Sequence, residues 1–340
     1  MDNEESRERP TMHVVEMAAP GGPDVLKPTE RALPEPGTGE VRVRAHAIGV
    51  SSADMMIRRG VYNWMPKLPA VPGNEMAGVV EALGADVTSV AVGARVLVSS
   101  RELPSRGGCY AEAICVPAAA LFHLPDAVSF ESGVCLPNYQ LANALLTASG
   151  IRTPRSIVVY GASGGVGLAL LQLAKASGIF CIGVVSSHDK QAFVQAAGIE
   201  HVLLRNASLQ DEVMRITGGL GVDVVFGHAG PAFIQNLDLL APLGTLLSFS
   251  HLGGFMPDAD FYAELRARLG KSLGVRVYSI HTLDEDAVLR RKLLVDAIER
   301  MAAGKIPPAV CVPFPLSRAG NAHAAMESRT VMGKIVLLPD

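Results

Sequence analysis

The sequence predicts an α/β protein in which a doubly wound parallel-sheet domain is inserted into a β-rich domain. Three observations carry this expectation. Residues 156–190, SIVVYGASGGVGLALLQLAKASGIFCIGVVSSHDK, read as a buried strand, a glycine-rich turn, a helix and a second buried strand. From there to residue 250, short apolar runs alternate with helical patterns, which is the signature of a parallel sheet covered by helices. At 340 residues the chain is too long for one ordinary core and suits two domains.

Each element follows from local chemistry. Residues 12–17 form a first strand, stopped by the turn signal Pro20-Gly21-Gly22-Pro23. VRVRAHAIGV, residues 41–50, alternates apolar and basic side chains as a half-buried strand does. Residues 53–59 read as a helix ended by Gly60, and residues 61–72 are too rich in proline for regular structure. Strands follow at 75–83 and 95–98, and a further strand starts in 107–112 and closes at Pro117. Helical pattern resumes after Phe130 and runs through 143–149 to Gly150. Beyond the glycine-rich unit, helices are expected at 191–197, 209–216 and 233–240, and strands at 201–204, 222–226 and 244–250. A β-rich run at 275–280, a long helix over 286–302, a proline-marked connection over 307–315, a helix at 319–326 and a strand at 334–338 complete the chain. The expected domains are 1–128, with 1–11 a disordered tail, then 129–275, and a return segment 276–340.

The turn Ala162-Ser163-Gly164-Gly165-Val166-Gly167 fits the dinucleotide-binding fingerprint, with alanine in the first small position. Gly164 lets the backbone approach a pyrophosphate, Gly167 lets the helix pack close to the strand, and the free N–H groups of the helix start offer an anion site. The second strand selects the dinucleotide. An NAD site places Asp or Glu near its end to take the ribose 2′-hydroxyl. Here Ser186-Ser187-His188-Asp189-Lys190 stands instead, with no acid at the strand tip. Hydroxyls and an ammonium suit a 2′-phosphate, which a carboxylate would repel, so NADPH is expected. Ser187 and Lys190 also suit the plainer roles of helix cap and solvated helix residue.

Net charge is −3, which gives no electrostatic case for nucleic acid or an anionic membrane as partner. No run is apolar and long enough for a transmembrane helix, and MDNEESRERP lacks the apolar region of a secretory signal. Cys109, Cys115, Cys135, Cys181 and Cys311 form no C-x-x-C pair and no even framework. They read as reduced, mostly structural thiols of a cytoplasmic protein.

IGVSSADMMIRRGVY, VPGNEMAGVV, VGARV, YGASGGVG, GVDVVF, LAPLGTLLSFSHLGG and the terminal GKIVLLP occur in an order and spacing that resemble the medium-chain dehydrogenase/reductase superfamily over nearly the whole chain. The likeness is greatest to the zinc-independent NADPH:quinone oxidoreductase branch. It implies a GroES-like catalytic domain carrying an inserted Rossmann domain. Zinc-dependent members of the superfamily use a Cys and a His where this chain has Ser51 and Asn74, and residues 136–139 supply neither ligand type. Neutral hydroxyl and amide groups are poor ligands for Zn²⁺, so no metal is expected.

Without a Lewis acid, the chemistry that suits the family is hydride transfer from NADPH to a quinone, an enone or an enoyl thioester. GVYNWMPKLPAVPGNE also resembles the matching stretch of enoyl thioester reductases, in which a tyrosine after glycine is the acid. Tyr62 is the match, with Ser51 a weaker second candidate, and a phenol of pKa about 10 is protonated at neutral pH. Tyr62 reads equally as part of an apolar substrate wall with Trp64 and Met65. By the same resemblance Arg205 stands near the 2′-phosphate and Leu252, Gly253 and Gly254 pass the nicotinamide. His228 and His251 stand at strand ends with no identifiable acid partner. A homodimer paired through residues 275–280 is the family expectation. A redox-neutral tailoring enzyme, or a protein that binds NADPH without turnover, is the alternative on the same fold.

Overall fold

The computed structural model describes residues 10–151, 153–227, 234–249 and 260–340. His228, His251, Leu252, Gly253, Gly254 and the start of the expected tail lie outside the described residues. In chain order the first unit contributes β1 (Thr11–Glu16), β2 (Lys27–Ala32), β3 (Glu40–Gly49), α1 (Ser52–Arg59), β4 (Glu75–Leu83), β5 (Arg95–Ser99), β6 (Ala113–Pro117), β7 (Phe122–His123) and α2 (Phe130–Gly133). The helix α3 (Leu136–Ala148) follows. The second unit contains β8 (Ser156–Tyr160), α4 (Gly165–Ala176), β9 (Phe180–Val185), α5 (His188–Ala196), β10 (His201–Leu204), α6 (Leu209–Ile216), β11 (Val222–Gly227), β12 (Leu240–Ser248), α7 (Phe261–Ala267), β13 (Gly274–Val277) and α8 (Ala287–Ala302). The chain then returns to the first unit with β14 (Cys311–Pro315), α9 (Ala319–Glu327) and β15 (Lys334–Leu338).

The units comprise residues 1–137 with 308–340, and residues 138–307. The insertion expected from the sequence is present, but both of its ends lie later than 128/129 and 275/276. The later return has a packing reason. β13 pairs with β12 in parallel, and Leu289 and Leu293 of α8 pack with Leu141 and Ala144 of α3. Residues 274–302 therefore complete the inserted unit.

The first unit is a mostly antiparallel sheet ordered β14-β15-β3-β4-β5-β7, with β6 added to β3. β3 alternates as its sequence demands: Val41, Val43, Ala45 and Ala47 are buried while Arg44 and His46 face out. Its core gathers Val43, Ile48, Ile57, Met76, Val98, Tyr110 and Leu337. The second unit is a parallel sheet ordered β10-β9-β8-β11-β12-β13. Ile157, Val158 and Val159 of β8 are fully buried, as expected of a strand covered on both faces. Successive strands run outward from β8 to β10 and then restart on its other side with β11. The switch point falls beside the carboxyl end of β8, where ligands bind in sheets of this kind. No helix among the described residues is long and apolar enough to cross a membrane.

Several local expectations are corrected. β2 was not anticipated: KPTERA is exposed throughout and owes its extended form to pairing with β1. The strand expected from residue 107 begins at Ala113, and before it Ala111 makes only a single bridge to Val14. The helix expected at 233–240 is a tight 3₁₀ turn over Gln235–Leu239 among the described residues. The connection at 307–315 contains β14, despite Pro313 and Pro315. β14 lies at the edge of its sheet, where a residue without an N–H is tolerated.

Candidate functional site

In the second unit, Gly161 to Gly164 form the turn that leaves β8, and Gly164 is the N-cap of α4. The two glycines emphasised by the sequence have different surroundings. A Cβ on Gly167 would lie 2.3 Å from the Gly161 carbonyl oxygen, so the bare α-carbon is what lets α4 sit against the strand turn. A Cβ on Gly164 would meet only that same oxygen, at 3.4 Å, so the space above it is open. Ala162 is fully buried, and its N–H donates to the Val184 carbonyl of β9 at 3.2 Å. Ser163 is buried beside it, while Gly165 and Val166 are half-buried in the first turn of α4. The open backbone at a helix start is a fitting cradle for a pyrophosphate.

The neighbouring strand ends collect the other predicted residues. Ser187 caps α5 by accepting the Lys190 N–H at 3.4 Å. The Lys190 Nζ donates to Ser186 Oγ at 3.3 Å, which brings the ammonium back over the end of β9. The Arg205 N–H donates to the Val185 carbonyl at 2.8 Å, placing an exposed arginine one strand away. Asp189, in the first turn of α5, is exposed. Ser186, Lys190 and Arg205 thus gather at one end of the sheet, with Ser187 fixed as a helix cap.

In the first unit, Ser51 is the N-cap of α1 and forms a capping box with Asp54. The Ser51 hydroxyl and the Ser51 N–H each donate to Asp54 Oδ2 at 2.7 Å. The amide of Asn74 donates to Asp54 Oδ1 at 2.6 Å, and the Ser100 hydroxyl donates to the Asn74 side-chain oxygen. Asp54 is fully buried. Burial, reinforced by the charge of Glu75, pushes its carboxyl up to about 6, against the downward pull of the Ser51 hydrogen bonds. Beside this network, Lys334 and Glu75 form a buried ion pair at 2.5 Å. Burial opposes the Lys334 ammonium, but Glu75 prevails and holds its pKa above the usual lysine value.

These residues are a poor fit for zinc. Ser51 and Asn74 are neutral oxygen and amide donors already committed to Asp54. Among the described residues, no group of three or more His, Cys, Asp or Glu could hold a metal ion.

Tyr62 lies in the apolar core of the same unit, only 7% exposed, with its ring 5.5 Å from that of Trp64. An open cavity of about 450 Å³ in this unit is lined by Pro66, Lys67, Leu103, Arg106 and Cys115, among others. Pro66 and Lys67 belong to the proline-rich stretch 61–72, which also carries Tyr62 and Trp64.

Asp54 was missed from the sequence, although Ser51-x-x-Asp54 is a capping-box signal. The pairing of Lys334 with Glu75 has no sequence signal, because 259 residues separate them. Nor does the proximity of Cys135 to Cys311, whose sulfurs lie 3.5 Å apart.

Residues 37–126 match the family model of the alcohol dehydrogenase GroES-like domain, and residues 165–290 match that of the zinc-binding dehydrogenases. A quinone oxidoreductase of Pseudomonas aeruginosa is 34% identical over 96% of this chain and 99% of its own. A 2-haloacrylate reductase of Burkholderia is 32% identical over 94% of this chain and 96% of its own. The solved structure of Escherichia coli quinone oxidoreductase complexed with NADPH superposes with a TM-score of 0.82 at 30% identity, over 96% of this chain and 100% of that one. The chain belongs to the medium-chain dehydrogenase/reductase superfamily, in its quinone oxidoreductase-like branch.

Proposed function

We propose that this protein is a zinc-independent, NADPH-dependent oxidoreductase that reduces a quinone or an α,β-unsaturated carbonyl compound. The observation that carries the reading is the gathering of Ser186, Lys190 and Arg205 at adjoining strand ends, beside an open fingerprint turn. The relatives named quinone oxidoreductase and 2-haloacrylate reductase support the same chemistry. Ala162, Ser163, Gly164, Gly165, Val166 and Gly167 hold the pyrophosphate. Ser186, Lys190 and Arg205 hold the 2′-phosphate, and Ser187 fixes the loop that presents them. Leu252 and Gly253 are assigned to the nicotinamide side on the family resemblance alone.

Bound there, NADPH supplies a hydride to the carbon end of the conjugated system, and a proton completes the reduction. Tyr62 is the proposed donor, since a phenol remains protonated at neutral pH. Ser51 is the second candidate donor: its half-buried hydroxyl is oriented by its hydrogen bond to the buried Asp54 carboxylate.

The protein acts in the cytoplasm as a homodimer. Pairing uses β13, which ends the described sheet and exposes Val277. Light scattering coupled to size exclusion that returned only monomer would remove the dimer.

The test is NADPH oxidation against a quinone, a simple enone and a short enoyl thioester, each with NADH in parallel and with Tyr62→Phe alongside. Turnover of the quinone or enone with NADPH preferred supports the reading. Faster turnover of the thioester moves the assignment to an enoyl thioester reductase. NADPH binding without turnover of any acceptor overturns it in favour of a redox-neutral or binding role.

A further inference from the structure

The chain leaves the first unit after Pro137 and re-enters it at Pro308. Cys135 lies just before the first passage and Cys311 just after the second. Both belong to the first unit, and their sulfurs are 3.5 Å apart although 176 residues separate them. Each sulfur also approaches the Glu131 carbonyl oxygen, Cys135 at 3.1 Å and Cys311 at 3.5 Å. Cys135 is buried at the junction of α2 and α3, whereas Cys311, the first residue of β14, is partly exposed.

We propose that Cys135 and Cys311 form a reversible disulfide under oxidation by a peroxide, a modification that ties the outgoing and returning passages of the chain together. Moving two sulfurs from their present separation to a bond of about 2.05 Å requires them to approach by roughly 1.5 Å. The roles of the two thiols differ. A hydrogen bond from the Cys135 thiol is the main influence holding Cys311 below the usual thiol pKa, and the Lys334 ammonium helps, against burial and the charge of Glu131. Cys135 is pushed well above the usual value by the same hydrogen bond and by burial. The Cys311 thiolate attacks one peroxide oxygen. The O–O bond breaks, hydroxide leaves, and the sulfur is oxidised to a sulfenic acid. Cys135 then gives up its proton and its sulfur attacks the Cys311 sulfur. An S–S bond forms, the S–O bond breaks and water leaves. One peroxide gains two electrons as two thiols become one disulfide.

The full-length protein is treated with hydrogen peroxide, alkylated and mapped by peptide mass spectrometry without reductant. The expected result is a Cys135–Cys311 linked peptide that dithiothreitol abolishes. Cys135→Ser should leave Cys311 as a sulfenic acid trapped by a dimedone-type probe, and Cys311→Ser should leave Cys135 unmodified. In the reduced wild type, alkylation of Cys311 should be about tenfold or more faster than that of Cys115, a partly exposed thiol pushed up to about 11 by burial. Absence of the linked peptide in wild type, or earlier oxidation of Cys115, would overturn the proposal. The wild-type measurement stands whether or not the variants fold.

Discussion

Ser51 and Asp54 hold one another reciprocally: the Ser51 hydroxyl and N–H donate to the Asp54 carboxylate, and the Asp54 N–H returns a hydrogen bond to the hydroxyl at 3.3 Å. This capping box starts α1 and also closes a buried polar network through Asn74 and Ser100. One carboxylate thus fixes both a helix start and the orientation of the partly exposed hydroxyl.

The buried Asp54 makes stability depend on pH in a definite direction. Its carboxyl is raised from 3.8 to about 6 in the folded protein, so folding tightens its hold on the proton. The stabilisation is complete below about 4 and is lost as pH rises through about 6, with a total of roughly 2–3 kcal/mol. Asp54→Asn removes this titration. Urea unfolding should show the variant's deficit against wild type to be larger at pH 4 than at pH 7.5 by about that amount. A deficit that does not change with pH would refute the assignment.

Lys334 and Glu75 stand or fall together. Their side chains are 5% and 8% exposed, so Lys334→Met leaves a carboxylate buried without its partner. A loss of about 3–5 kcal/mol is expected by chemical denaturation. Adding Glu75→Gln should recover most of it, because the uncompensated charge disappears. Equal loss in the single and double variants would show that lysine packing, not charge pairing, matters.

The fingerprint glycines should separate stability from binding. Gly167→Ala places a methyl against the Gly161 backbone, which must shift, at a cost of about 1–3 kcal/mol in unfolding experiments. Gly164→Ala meets nothing closer than 3.4 Å, so its melting point should stay near wild type while NADPH affinity, followed by fluorescence titration, falls roughly tenfold or more. Unchanged affinity in a folded Gly164→Ala protein would argue against a pyrophosphate at this turn.

Lys190 tests the choice of cofactor. Its ammonium already points to Ser186 at the end of β9. Lys190→Ala should raise the KM for NADPH by roughly tenfold, the loss of one charge-assisted hydrogen bond, and leave the KM for NADH nearly unchanged. Parallel rises for both cofactors would place the 2′-phosphate elsewhere.

The sequence by itself determined the inserted architecture and the glycine-rich turn between β8 and α4. Strand β8, the helix over 209–216 and the closing strand 334–338 were legible because apolar periodicity and glycine placement are local properties. That the ends of β9 and β10 are neighbours follows for a related reason: in a βαβ series the order of elements dictates which strand ends adjoin. Only the tertiary structure decided the rest. β2 is an exposed strand formed by its partner, and β14 keeps its prolines because it lies at an edge. Asp54 acquires its raised pKa from burial beside Glu75, which a sequence does not record. Lys334 with Glu75, and Cys135 with Cys311, are separated by 259 and 176 residues. Such pairs exist only when the returning strands β14 and β15 close the first sheet. Hydrogen bonding, desolvation and thiol proximity depend on distance in space, and a linear pattern carries that information only where the chain is its own neighbour.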